Sequence, residues 1–166
     1  MRITGQTDDG KERDHNEDNF VHLPRVSMQS WKHDNDVHET GDDSNGSIMI
    51  VADGMGGANA GEVASWIVIN HAKEFLVRHE ISFSDSQSVY RYLESLILST
   101  HKAIVDHTKQ YPETKGMGTT VVIGWVIGNK MYYAWVGDSR AYIFNPQSGL
   151  RQVTKDHSLV QEMIDD

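Results

Sequence analysis

The 166-residue sequence predicts an α+β fold, an antiparallel sheet carrying a pair of helices. Three observations carry that expectation. Short β-rich runs cluster toward both ends of the chain, around residues 18–23, 48–52 and 119–136. Two segments of helical period, 60–79 and 86–109, lie between them. The β-rich runs of the last third are joined by connections too short for a helical crossover, so neighbouring strands there run antiparallel.

Residues 1–7 and 18–23 read as short strands on either side of an acidic turn. Residues 28–46 are polar, with His33, Asp34, Asn35, Asp36, His38, Glu39, Asp42 and Asp43. So little apolar content cannot form a packed core, and the segment is expected to be a flexible, solvated insertion loop. Its histidines and acids have irregular spacing and are read as solvent-facing in preference to metal ligands. Ile48-Met49-Ile50-Val51-Ala52 is a continuous apolar run, as a buried strand requires.

From Ala60 the period changes. Val63, Ala64, Ile67, Val68, Ala72, Phe75 and Leu76 recur at helical spacing up to about His79, with Glu62 in the first turn to complement the helix dipole. A second helix is expected from about Ser86 to Lys109, with Val89, Leu93, Leu96, Ile97, Thr100 and Ile104 as its inner stripe. Both stripes are core faces that pack on a sheet. His71, His79, His101 and His107 lie along these helices and are read as surface or boundary residues. Thr119 to Ile127 and Lys130 to Val136 form a hairpin through Gly128-Asn129. Ala141 to Phe144 and Leu150 to Val153 form another. Ser158 with Gln161 resembles a capping box opening a last helix.

Composition bounds the function. A chain of this length fits one domain. Hydrophobic residues make up 38% of it, enough for a core. The formal net charge of −9 argues against nucleic-acid binding, which needs basic patches. No apolar run approaches the length of a membrane span, and the first residues lack the apolar stretch of a signal peptide. The sequence has no cysteine, which excludes disulfides, Cys-based zinc sites and thiol nucleophiles. A cytoplasmic location is the expectation.

Chemistry is concentrated at three acidic segments, each beside an apolar strand-like run. Val51-Ala52-Asp53-Gly54-Met55-Gly56-Gly57 drives an apolar run into a carboxylate and three glycines. Alone it is either a glycine turn or a metal site. Gly54 has no Cβ, so its carbonyl can approach an ion closely, and oxygen ligands suit Mg²⁺ or Mn²⁺. Arg13-Asp14-His15-Asn16-Glu17-Asp18-Asn19 is the second cluster. If its strand pairs with the first, Asp53 and Glu17 or Asp18 converge on one or two ions. Arg13 is then left to fork onto phosphate oxygens. Val136-Gly137-Asp138-Ser139-Arg140 is the third, another aspartate at a glycine break between strands.

Taken together these blocks resemble the type 2C protein phosphatases, the metal-dependent Ser/Thr phosphatase family. The matching blocks stand in family order: Arg13 with Asn16-Glu17-Asp18-Asn19; the Asp53 block with Ala60-Gly61-Glu62-Val63-Ala64-Ser65; Gly116-Met117-Gly118-Thr119-Thr120; Gly137-Asp138-Ser139-Arg140; and Thr154-Lys155-Asp156-His157-Ser158. Met55 after Asp-Gly is similar to the bacterial branch. The resemblance implies a four-layer αββα sandwich of antiparallel sheets flanked by helix pairs. It implies that Asp53 bridges two Mn²⁺ or Mg²⁺ ions, and that the Gly54 carbonyl, with Glu17 or Asp18, serves the second. Asp138 matches a third, weaker ion position, and Arg13 matches the phosphate-binding arginine. The implied reaction is in-line attack of a metal-activated water on phosphoserine or phosphothreonine. Met55 has no proton to donate, so water or another residue must protonate the leaving group.

The chain departs from the family pattern in one large respect. Two further metal-ligating aspartates belong to C-terminal blocks that are absent here, so residues 1–166 correspond to the N-terminal two-thirds of one such domain. Two alternatives follow: a non-catalytic phosphoprotein-binding or regulatory module, and an inactive fragment. The expected partner is a phosphorylated protein, with neither nucleic acid nor membrane. Self-association through exposed sheet edges is a second expectation.

Overall fold

Strand β4 (Ser47–Met55) is the spine of the molecule, because the apolar run that forms it pairs on both sides. This computed structural model describes residues 1–11, 15–57 and 60–157. With strands and helices numbered in chain order, β2 (Asp18–Leu23) pairs antiparallel with one edge of β4. On the other edge lies β6 (Val121–Ile127), followed by β7 (Lys130–Val136). The short β5 (Gly118–Thr119) pairs with the end of β4, completing a five-stranded antiparallel sheet. Two small sheets stand apart: β1 (Arg2–Ile3) with β3 (His38–Glu39), and the hairpin β8 (Tyr142–Asn145) with β9 (Gly149–Gln152).

The register decides what each face carries. Val21 sits opposite Ile50 and Leu23 opposite Ile48, while Ile50 faces Ile123 and Ile48 faces Trp125. Side chains alternate along a strand, so these residues share one face. Helices α1 (Ala60–Arg78) and α2 (Ser86–Gln110) cover it. Val68, Ile69, Ala72, Phe75 and Leu76 of α1 and Val89, Leu93 and Leu96 of α2 join the strand residues in one core. Trp125 is fully enclosed there, and its indole Nε1–H donates to Asn45 O at 2.7 Å. An enclosed polar tip needs such a partner. Asp85 caps α2: its carboxylate accepts from Ser88 N at 2.7 Å, and Ser88 Oγ accepts from Asp85 N at 3.3 Å.

The helix pair and the hairpins follow the sequence reading to within a residue or two. Three boundaries differ. The N-terminal strand is confined to Arg2–Ile3. Thr119 belongs to β5, not to the β6 hairpin. The central strand does not stop at Ala52: it runs through Asp53 and Gly54 to Met55, because those residues find partners in β2 and β5. Residues 28–46 carry β3 and a backbone bridge from Lys32 to His22, and Asp43 accepts from Ser27 N and Oγ at 2.9 and 2.8 Å. The Ser158–Gln161 cap lies outside the described residues.

The fold is thus mixed helix and antiparallel sheet. Of a four-layer sandwich, the described residues form one helix layer and one full sheet; outside these stand only the two small sheets. No helix among the described residues is long and apolar enough to cross a membrane.

Candidate metal and phosphate site

The pairing of β2 with β4 places Asp18 directly opposite Asp53. Directly opposed Cβ atoms lie about 4.5–5.5 Å apart, and like charges so placed repel unless a cation sits between them. Neither aspartate is buried. Just before β2, Glu17 accepts from Gly54 N through its backbone carbonyl at 3.1 Å, while its side chain is buried. His15 Nε2 lies 3.8 Å from the Glu17 carboxylate.

Gly54 is required here for space, not for a turn. It lies in extended strand, and a Cβ added there would meet Gly61 O at 2.0 Å and Glu17 O at 2.8 Å. Gly61, in the first turn of α1, would collide with Glu17 Oε1 at 2.5 Å if it bore a Cβ. The two glycines let the helix start, the strand end and the Glu17 carboxylate occupy one small volume. Oxygen donors therefore gather at the end of the sheet where α1 begins. This donor set suits a hard divalent cation, and the cradle accepts no extra methyl group.

Asp53 is held by its backbone. Thr120 Oγ1 accepts from Asp53 N at 3.1 Å, and Thr120 N and Thr119 Oγ1 donate to Asp53 O at 2.8 and 3.0 Å. Thr120 Oγ1 also lies 2.6 Å from Ser139 Oγ. The Gly137-Asp138-Ser139-Arg140 turn is thereby tied to the strand that carries Asp53. Gly137 supplies the left-handed conformation of that turn at φ 101°, with Thr120 packed where a Cβ would be.

The last two sequence blocks also meet. Arg140 grips Asp156 with two nitrogens, Nη2 to Oδ2 at 2.6 Å and Nε to Oδ1 at 3.0 Å. That bidentate pairing holds the Asp156 carboxyl below its ordinary range and raises the Arg140 guanidinium above its own. Trp135 Nε1–H donates to Lys155 O at 2.7 Å.

Of the residues singled out in the sequence, Glu17, Asp18, Asp53 and Gly54 come together, and Asp138 is linked to them through Ser139 and Thr120. Arg13 lies outside the described residues. Among the described residues, the carboxylates of this site do not form a group of three with oxygens all within 4.8 Å of one another. The sequence reading missed Gly61 and Thr120 as positioning residues. Both stand in quoted blocks, but only packing reveals why a glycine or a hydroxyl is needed there.

The chain is similar to known proteins over almost all of its length. The family profile described as protein phosphatase 2C matches residues 28–163. The serine/threonine phosphatase stp of Listeria monocytogenes is 35% identical over 164 residues, covering 99% of this chain and 58% of that protein. Serine/threonine phosphatase Stp1 from Staphylococcus aureus superposes with a TM-score of 0.73 at 28% identity, over 99% of this chain and 56% of that one. The catalytic domain of the serine threonine protein phosphatase PstP, solved with two manganese ions, gives 0.69 at 27% identity, over 99% of this chain and 58% of that one. The chain spans about 58% of the length of the curated relatives it matches throughout.

Proposed function

The chain belongs to the protein phosphatase 2C family, and from that premise we propose that it carries the bridging-metal and phosphate-facing part of a phosphoserine/phosphothreonine protein phosphatase. The observation that carries the proposal is the register of β2 on β4, which sets Asp18 opposite Asp53 where Gly54 and Gly61 make room for Glu17. Asp53, Glu17 or Asp18, and the Gly54 carbonyl would hold two Mn²⁺ or Mg²⁺ ions, with a third at Asp138. Such ions, when bound, acidify a coordinated water and neutralise phosphoryl charge.

The remaining work falls to this chain's own groups. Arg13 orients the phosphate through its guanidinium. Thr120 fixes the Asp53 backbone from two sides and keeps the Asp138 turn in register with it. Met55 is exposed and cannot give a proton, so water or another residue protonates the leaving serine or threonine. The substrate is a phosphorylated protein, and the setting is cytoplasmic signalling. Open pairing along β7, the last strand of the sheet order, offers a route to self-association.

A second reading is a non-catalytic phosphoprotein-binding or regulatory module. On that reading the chain binds phosphoprotein without turnover. Hydrolysis of a phosphothreonine peptide with Mn²⁺ separates the two. The phosphatase reading expects Mn²⁺-dependent turnover that Asp53→Asn abolishes. Peptide binding without turnover, weakened but not lost in Asp53→Asn, supports the binding module. Neither turnover nor binding in the parent chain overturns both.

A further inference from the structure

A second group of metal-competent side chains lies on the same strand as Asp18 but away from the carboxylates. His22 is four residues further along β2, about 13 Å at the rise of an extended strand. Its side chain is 2% exposed, and its Nε2 has no hydrogen-bond partner. A buried ring nitrogen left unpaired is uncommon and calls for an explanation.

The surroundings of His22 supply one. One ligand atom each from His22, Asp34 and His38 lies within 4.8 Å of the other two. The His22 and His38 ring centroids are 5.1 Å apart, and His38 Nε2 lies 2.5 Å from Asp34 Oδ1. Two backbone ties and one side-chain hydrogen bond hold this convergence. His22 N donates to Lys32 O at 3.0 Å and Lys32 N to His22 O at 2.8 Å, fixing the chain two residues before Asp34. His38 is held by the pairing of β3 with β1. Thr4 Oγ1 donates to Asn35 O at 3.1 Å between them. The group is therefore built from three elements and is not an accident of one loop. His33, the other histidine nearby, is spoken for: its Nδ1 lies 3.3 Å from Phe20 O and its Nε2 2.6 Å from Lys73 Nζ.

We propose that His22, Asp34 and His38 form a second divalent-metal site, selective for zinc, that clips the 28–46 segment to β2. Two imidazoles and one carboxylate are a donor set for Zn²⁺, which takes three protein ligands and leaves a fourth position to water. Magnesium and manganese prefer the all-oxygen set around Asp53, so the chain sorts hard from borderline ions between two ends of one strand. The ion would tie Asp34 and His38 to the sheet while its fourth position stays open to water. Asp34 and His38 are 48% and 20% exposed, so an ion has a way in from solvent, while His22 anchors it to the sheet.

The test is Zn²⁺ titration of the 166-residue chain by calorimetry. An Asp53→Asn background is used so that the carboxylate site does not compete. One Zn²⁺ is expected per chain, with binding weakened at least about tenfold by His38→Ala or Asp34→Asn. Circular dichroism of the metal-free variants should match the parent, which shows that they still fold. Cobalt(II) in place of zinc should give the intense visible bands of a low-coordinate site, lost in His38→Ala. No Zn²⁺ uptake, or equal uptake by the parent and the His38→Ala chain, overturns the proposal.

Discussion

The two faces of the five-stranded sheet are made by alternate residues of the same strands and have opposite fates. Val21, Leu23, Ile48, Ile50, Ile123 and Trp125 point toward the helices and are almost wholly enclosed. Asp18, Met49, Val51, Asp53 and Met131 point the other way, and Val51 is 47% exposed, although Phe20 and His22 on that same face are buried. Both sets are largely apolar, as in strands written for cover on both sides. The helix-covered face supplies the stability that fixes the register. The other face uses that register to bring two aspartates into opposition. Stability and candidate chemistry therefore share each strand but not a face.

The contrast can be broken most severely on the enclosed side. Trp125→Ala should cost about 3–5 kcal/mol, since it leaves a large cavity and an unpaired Asn45 carbonyl. Urea unfolding would measure it. Val51→Ala on the open face should change stability by no more than about 0.5 kcal/mol in the same assay. Equal losses at the two positions would mean that the open face is covered in solution.

Gly54→Ala should come next. The added Cβ meets backbone on both sides, so nothing soft can yield, and about 1–3 kcal/mol is the expected loss. Mn²⁺ affinity should fall with it, because the Glu17 and Gly61 positions must part. Thr120→Val keeps the shape but removes the hydroxyl shared by Asp53 N and Ser139. About 1–2 kcal/mol of stability should go. Mn²⁺ binding should weaken by more than that stability loss alone produces, and unchanged Mn²⁺ affinity would deny Thr120 its positioning role.

The smallest effect is a pH dependence. Arg140 holds the Asp156 carboxyl below its ordinary value, near 3.9, so the folded state loses this proton more readily than the unfolded one. Stability from the pair is then complete above that ordinary value and is lost as pH falls through the lower, folded one. The pair is partly exposed, so the change is slight. NMR titration of the Asp156 carboxyl should show a midpoint that Arg140→Gln moves upward. No movement would remove the bidentate pair from the account.

Most of the fold was legible because its signals are local. The helical periods at 60–79 and 86–109 and the Gly128-Asn129 hairpin each depend on neighbours in sequence, and both helices begin where their spacing begins. The candidate site was legible as a set of residues, since acids beside glycines are conspicuous. Its cradle was not. Gly54 reads as a turn glycine, yet it sits in a strand, and its need for a missing Cβ arises from Gly61 O, across the start of α1. The residues of 28–46 read as a solvated loop because polar composition carries no record of the distant backbone that Lys32, Asn35 and His38 bind.

Sequence by itself determined the element order, the two helix stripes, the three acidic segments and the family. Tertiary structure alone decided that Asp18 faces Asp53, that Thr120 braces both Asp53 and Ser139, and that His22 meets Asp34 and His38. The reason is range. Period, capping and turn chemistry act within a few residues, whereas register joins residues 35 apart in the chain for Asp18 and Asp53 and is settled only when one face of the sheet is buried.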